Sequence, residues 1–350
     1  EQKTRTGSSV NIIDILTEMC APDSRDPFRL LEENLRQGLR LFWQIAGNVL
    51  EGSGIALADV SGDALALPFN FFSALFLYSY FRAGIPAGRR VLYVAVNQCL
   101  RGMVTGCDNI LDNEYKKTLD TDLPEQSHKF RSIIDIMVSD RVLFNLLADD
   151  CIRNGRPIGL AQKGCIASLT ALSRSGVQEA SEETGIQTRP TPEEVISKIH
   201  HDKTGVLFEC VWAVPDVMEP ARNPVTADLR RGLYDIGLGC QILDDMADLT
   251  SDIANHRHNV VASAVYHGDD ARARKMLLEC PSFESSQAFF SEFPRFSQDA
   301  QARARSFLDS GFGRLFREDH RFMKEPAMAF LARRIGVEAL LSHGEQRVFP

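Results

Sequence analysis

The chain has 350 residues, 44% of them apolar and 25% charged, with a net charge of −8. This is the composition of an ordinary globular protein, and it is too acidic to offer the basic face that a nucleic-acid backbone demands. It leaves open a small phosphorylated ligand, because bound cations reverse the local sign of a site.

No Gly/Ser/Pro linker divides the sequence, so residues 26–350 are expected to form a single domain behind an N-terminal extension, residues 1–25. Glu1 to Ser9 is polar and lacks the apolar core of a signal peptide. The eight cysteines (Cys20, Cys99, Cys107, Cys151, Cys165, Cys210, Cys240 and Cys280) form no Cys-x-x-Cys and no zinc spacing. They read as small core residues of a reduced, cytoplasmic protein.

Leu31, Leu35, Leu39, Phe42, Ile45 and Val49 recur at three- and four-residue spacing, the pattern of an amphipathic helix, and Gly52-Ser53-Gly54 ends it. Ala64 to Phe81 then runs 18 residues without a charge. It contains Pro68, Asn70, Ser73 and Ser79, so a helix buried on all sides is expected rather than a membrane span. Arg89 to Leu111 is a long apolar helix, with Arg89-Arg90 read as a solvent-facing pair at its start. Further helices are expected over Ile133–Ile152 and Ile158–Leu172. Ser173 to Pro192 is polar and reads as a surface loop around a short helix. Thr191-Pro192-Glu193-Glu194 opens the next helix, with Thr as N-cap, Pro in the first turn and two acids at the positive end of the dipole. Ala227–Ile253 and Pro326–Leu341 complete the set. No alternating strand and no flanked hairpin turn is found. The fold class expected is all-α, a bundle of about ten or more helices.

Two of these helices carry acidic runs. One is Asp108-Asn109-Ile110-Leu111-Asp112; the other, about 130 residues on, is Asp244-Asp245-Met246-Ala247-Asp248. On a helix, positions i and i+4 share a face. Carboxylates set in apolar helices are costly unless something positive offsets them. Two such faces turned toward each other form an oxygen cage for hard cations such as Mg²⁺, which favours carboxylate and phosphate oxygens together. The natural third party is a diphosphate. Held by metal it leaves as a stabilised anion, and the carbocation it leaves behind needs apolar walls that exclude water.

The flanking residues resemble those of trans-polyprenyl diphosphate synthases over roughly residues 55–265. Lys203-Thr204-Gly205 looks like their Lys-Thr segment. Gly237 to Asp248, with Gln241 ahead of the aspartates, looks like their second aspartate-rich region, and Ser139-Asp140-Arg141 resembles an intervening helix. The resemblance implies the class I isoprenoid synthase fold, an all-α bundle around a deep apolar cavity. It also implies a homodimer, and an Mg²⁺ cluster of roughly three ions with an allylic prenyl diphosphate. Carried over by position, Asp108, Asp112 and Asp244 hold Mg²⁺, with Asp245 and Asp248 sharing or supporting that role. Lys203 grips the diphosphate, Thr204 and Gln241 place dipoles near the cation, and Met103 and Val104 set cavity depth.

The departures matter equally. Asn109 stands where the family has a second aspartate. An Arg-Arg pair is replaced by Lys116-Lys117, whose point charges lack arginine's bidentate fork. Arg257, within Asn255-His256-Arg257-His258-Asn259, stands near a family lysine and is expected to cover the diphosphate. In the segment that would bind isopentenyl diphosphate, Gly62 and Pro68 remain, but Asp63 and Leu67 replace lysine and arginine. The expected activity is therefore ionisation of an allylic prenyl diphosphate, followed by cyclisation or by transfer to another acceptor. The alternatives are elongation with isopentenyl diphosphate, with Arg40, Arg89 or Arg90 supplying the lost charge, and a non-catalytic subunit of a partner synthase.

Overall fold

The computed structural model describes residues 25–60, 62, 65, 67–219, 223–279 and 283–337. Residues 1–24 of the N-terminal extension, with Cys20, lie outside them, as do Cys280 and Asp63. Among the described residues the regular structure is helical, apart from one isolated bridge between Leu57 and Thr121. No helix there is long and apolar enough to cross a membrane. The chain divides into two compact units, residues 1–162 and 163–350.

The first unit contains α1 (Arg25–Leu50), α2 (Phe71–Arg82), α3 (Ala87–Leu111) and α4 (His128–Arg153). The uncharged stretch begins with a short 3-10 turn, Leu67–Asn70, so α2 is only 12 residues long, with Ser73, Leu75, Leu77, Tyr78, Ser79 and Tyr80 buried. α3 packs on α1 and α4 through glycines. A Cβ at Gly38 of α1 would lie 2.4 Å from Val94 Cβ; one at Gly106 of α3 would lie 2.9 Å from the Ser132 carbonyl oxygen of α4.

Arg90 corrects the expectation of a solvent-facing pair. It is buried, with Nε donating to Asn34 Oδ1 over 2.9 Å and Nη1 to the Ile85 carbonyl over 2.8 Å. Arg89 pairs with Asp150 of α4 and stacks over Tyr93. Both guanidiniums are spent tying α3 to its neighbours.

α5 (Gly159–Glu182) begins at the end of the first unit and runs into the second. The segment from Ser173, expected as a loop, is helical as far as Glu182. The second unit continues with a composite helical stretch. Thr191 caps Pro192–Glu194 in a full capping box with Glu194, as its sequence predicts. The chain then widens into a π-helix, Val195–Gly205, and returns to α over Val206–Glu209. Next come α6 (Thr226–Ala247), α7 (Leu249–Ala254), α8 (Val260–His267), α9 (Pro294–Leu315) and α10 (Lys324–Ile335). α6 is the core helix of this unit, buried almost continuously from Gly232 to Met246. α9 lies close along it because Gly232 and Gly311 face each other: a Cβ at Gly311 would lie 2.7 Å from the Gly232 carbonyl oxygen. On another side, a Cβ at Gly237 would lie 2.8 Å from the Thr204 carbonyl oxygen, so glycine there admits the π-helix.

Candidate functional site

α3 delivers the first acidic run at its C-terminal end. Asp112 caps the helix, and its N–H donates to the Asp108 carbonyl over 2.8 Å. α6 ends in the same way, with Asp248 as cap donating to the Asp244 carbonyl over 2.9 Å. Each aspartate pair thus spans the last turn of its helix. A helix C-terminus is the negative end of the macrodipole, so a carboxylate there costs roughly 0.3–1 kcal/mol instead of gaining it. A bound cation reverses that cost. Asp108 is half-buried; Asp112, Asp244 and Asp248 are exposed.

Asn109 has a structural task. Its Oδ1 accepts the Lys116 N–H over 2.8 Å and its Nδ2 donates to the Lys116 carbonyl over 3.1 Å. An ionised carboxylate cannot make the second bond. The loop after α3 is thereby folded onto the helix end, carrying Lys116 and Lys117, which are exposed and paired with Glu114 and Asp120. Met103 and Val104 are half-buried on α3, one turn before Asp108.

In the second unit the three aspartates of the other run divide by direction. Asp245 is turned inward and is 2% exposed. His200 Nε2 lies 3.0 Å from its Oδ2, the Val260 N–H donates to the same oxygen, and Gln241 Nε2 donates to Oδ1 over 3.0 Å. Burial alone would raise the Asp245 pKa. His200, Val260 and Gln241 outweigh burial and hold it below the ordinary carboxylate value. Gln241 accepts the Thr204 hydroxyl on Oε1 and also reaches Asp244 Oδ2, 3.3 Å from Nε2. One buried chain therefore runs Thr204, Gln241, Asp245, His200.

Lys203 ends the π-helix with Nζ 3.1 Å from Glu179 Oε1 of α5, and Arg257 Nη1 lies 3.5 Å from the other oxygen, Oε2. Burial works against the Lys203 charge, but Glu179 and Glu182 outweigh it and hold the ammonium above its ordinary pKa. Glu182 is itself buried, accepting from the His258 N–H and from Gln178, both at 2.9 Å. Burial lowers the His258 pKa. Asn259 caps α8 and donates to the Asp245 carbonyl over 2.7 Å and to Asp252 Oδ2 over 2.8 Å. Burial, helped by the Asp245 charge, raises the Asp252 pKa to about 8.

Lys203, Thr204, Gln241, Asp245 and Arg257 thus belong to one neighbourhood, reached from α5, the π-helix, α6 and the turn before α8. Sequence reasoning missed Glu179, Glu182, His200, Asp252 and Asn259. Signals existed: His200 stands three residues before Lys203, and Asp252 continues the i+4 series from Asp248.

Among the described residues no three His, Cys, Asp or Glu side chains are gathered closely enough to hold a metal by themselves. Each unit presents one i, i+4 aspartate pair at a helix end, Asp108 with Asp112 and Asp244 with Asp248.

No family model matches the chain, and no curated protein does. Solved structures do. Geranylgeranyl pyrophosphate synthetase from Pyrococcus horikoshii is 14% identical, with 87% of this chain and 96% of that one covered at a TM-score of 0.55. A decaprenyl diphosphate synthase from Rhodobacter capsulatus is 14% identical, with 86% and 99% covered at 0.56. Geranylgeranyl pyrophosphate synthase from Lactobacillus brevis is 14% identical, with 92% and 100% covered at 0.57. The chain has the all-α isoprenoid synthase fold. The match spans almost the full length of those proteins, and at such low identity the likeness is one of fold.

Proposed function

We propose that this chain is an Mg²⁺-dependent isoprenoid synthase that ionises an allylic prenyl diphosphate. The observation that carries this reading is the repeated placement of an i, i+4 aspartate pair at the C-terminal end of a helix, where the dipole opposes anions. Mg²⁺, when bound, takes up charge on the departing diphosphate. In one unit Asp108 and Asp112 would hold such an ion, and in the other Asp244 and Asp248 would. Asp245, with both oxygens committed internally, positions Gln241 instead of touching metal. Lys203 and Arg257 take the diphosphate oxygens. The allylic C–O bond breaks with its electron pair leaving on pyrophosphate, and Thr204 and Gln241 place oxygen dipoles toward the cation. Met103 and Val104 limit the prenyl chain.

The fate of the cation is read from the sequence. Asp63 and Leu67 stand where isopentenyl diphosphate would need lysine and arginine, which favours cyclisation or transfer to a different acceptor. A second reading, elongation, draws support from the names of the similar structures, which are prenyl diphosphate synthases. It also draws on Arg101, whose Nη1 lies 3.4 Å from Asn70 Oδ1, so a cation stands beside the Leu67–Asn70 turn.

Product analysis separates the readings. The protein is given geranyl, farnesyl and geranylgeranyl diphosphates with Mg²⁺, each with and without isopentenyl diphosphate. Hydrocarbon or alcohol from an allylic substrate alone supports cyclisation. Longer diphosphates, formed only when both are present, support elongation. Silence in all mixtures, relieved by a partner synthase, replaces both with a non-catalytic role.

A further inference from the structure

The Glu179 carboxylate bridges two cations, one on each oxygen. Lys203 Nζ lies 3.1 Å from Oε1 and Arg257 Nη1 lies 3.5 Å from Oε2. All three side chains are largely withdrawn from solvent, between 17% and 24% exposed, so the pairs are weakly screened. Glu182, one turn on, is occupied differently. Its partners are a backbone N–H and an amide, and it pins the turn at His258 to α5. Two carboxylates on one helix therefore have separate tasks: Glu182 fastens the loop, and Glu179 faces the cations.

We propose that Glu179 is an internal counter-anion that occupies the diphosphate subsite when it is empty and competes with the incoming diphosphate for Lys203 and Arg257. The proposal rests on the reading of those two cations as diphosphate-binding. A carboxylate holding one cation on each oxygen makes the contacts that two oxygens of a diphosphate would make. Substrate must displace Glu179 or share the cations with it, and either route lowers apparent affinity. After the C–O bond breaks, return of Lys203 and Arg257 to Glu179 speeds release of pyrophosphate. Glu179 thus trades tight binding for turnover, and without it the protein becomes strongly product-inhibited.

Calorimetric titration of inorganic pyrophosphate in saturating Mg²⁺ tests this on the full chain. If the cations rest on Glu179 about nine-tenths of the time, Glu179→Gln binds pyrophosphate about tenfold tighter. Glu179→Asp, which retains the charge but withdraws it by one methylene, moves affinity in the same direction by less, and it carries the test if the Gln variant does not fold. In a Lys203→Gln background the Glu179→Gln gain shrinks, a coupling that a general structural role would not produce. Affinity equal to or weaker than wild type in the folded Glu179 variants overturns the proposal and makes Glu179 an orienting strut. Wild-type protein that binds no Mg²⁺-pyrophosphate removes the diphosphate reading itself, and the competition with it.

Discussion

His200 Nε2 lies 3.0 Å from Asp245 Oδ2 where neither side chain reaches solvent. The pair anchors a chain through Gln241 to Thr204, so its effect on chemistry is by position. His200→Ala leaves a buried carboxylate short of its strongest partner and is expected to cost roughly 3 kcal/mol in urea unfolding. Turnover falls as Gln241 loosens, while half-saturation by Mg²⁺ stays near the wild-type value. Asp244→Ala behaves oppositely, with stability retained and the Mg²⁺ requirement raised. Identical metal dependence in the two variants would erase the distinction between the inward and outward aspartates.

Asp135 in α4 is 2% exposed, its Oδ2 has no hydrogen-bond partner among the described residues, and burial raises its pKa to about 6. The folded protein therefore holds a proton that the unfolded chain releases above about pH 4. Stability falls as pH rises from about 4 to about 6, then levels. Asp135→Asn removes that slope and stabilises the protein at neutral pH by on the order of 2 kcal/mol. Urea midpoints of both proteins on either side of that window check it; parallel pH profiles would mean that Asp135 is ionised at no cost.

Gly106 sits two residues before Asp108, where α3 meets α4. An added Cβ would lie 2.6 Å from Ile136 Cγ1 and 2.9 Å from the Ser132 carbonyl oxygen, and the latter is backbone that cannot swing aside. Gly106→Ala is expected to cost about 1–3 kcal/mol and to displace the end of α3. Metal affinity should weaken more than a stability loss alone explains. A stable variant with normal Mg²⁺ titration would show that Asp108 does not depend on this contact.

Met103→Phe fills space one turn before Asp108 and should shift preference toward shorter prenyl diphosphates. Competition among geranyl, farnesyl and geranylgeranyl diphosphates measures it, and an unchanged order would place the chain-length limit elsewhere.

Periodicity located α1, α3 and α6 because their buried faces are apolar, and it failed on α5 for the converse reason. From Ser173 to Glu182 the inward positions are polar: Ser175 bonds the Lys203 carbonyl, Glu179 meets Lys203 and Arg257, and Glu182 meets the His258 N–H. A helix whose buried face serves a site has no hydrophobic stripe to read. Arg90 departs from its pattern for a related reason: a guanidinium at a helix start reads as solvated, but Asn34 and the Ile85 carbonyl surround this one. The i, i+4 rule did place Asp244 and Asp248 on one face. The same rule, taken further, turns Asp245 about 100° away from Asp244, and inward is where the structure has it.

Release of pyrophosphate from an allylic prenyl diphosphate, measured in wild type, Asp112→Ala and Asp244→Ala with Mg²⁺ and with chelator, tests the central claim most directly. The expected result is release by wild type that stops with chelator and falls by about two or more orders of magnitude in each variant, because metal-held leaving-group charge is worth several kcal/mol. Release that persists in both variants, or that ignores chelator, would contradict a metal role for the two helix ends.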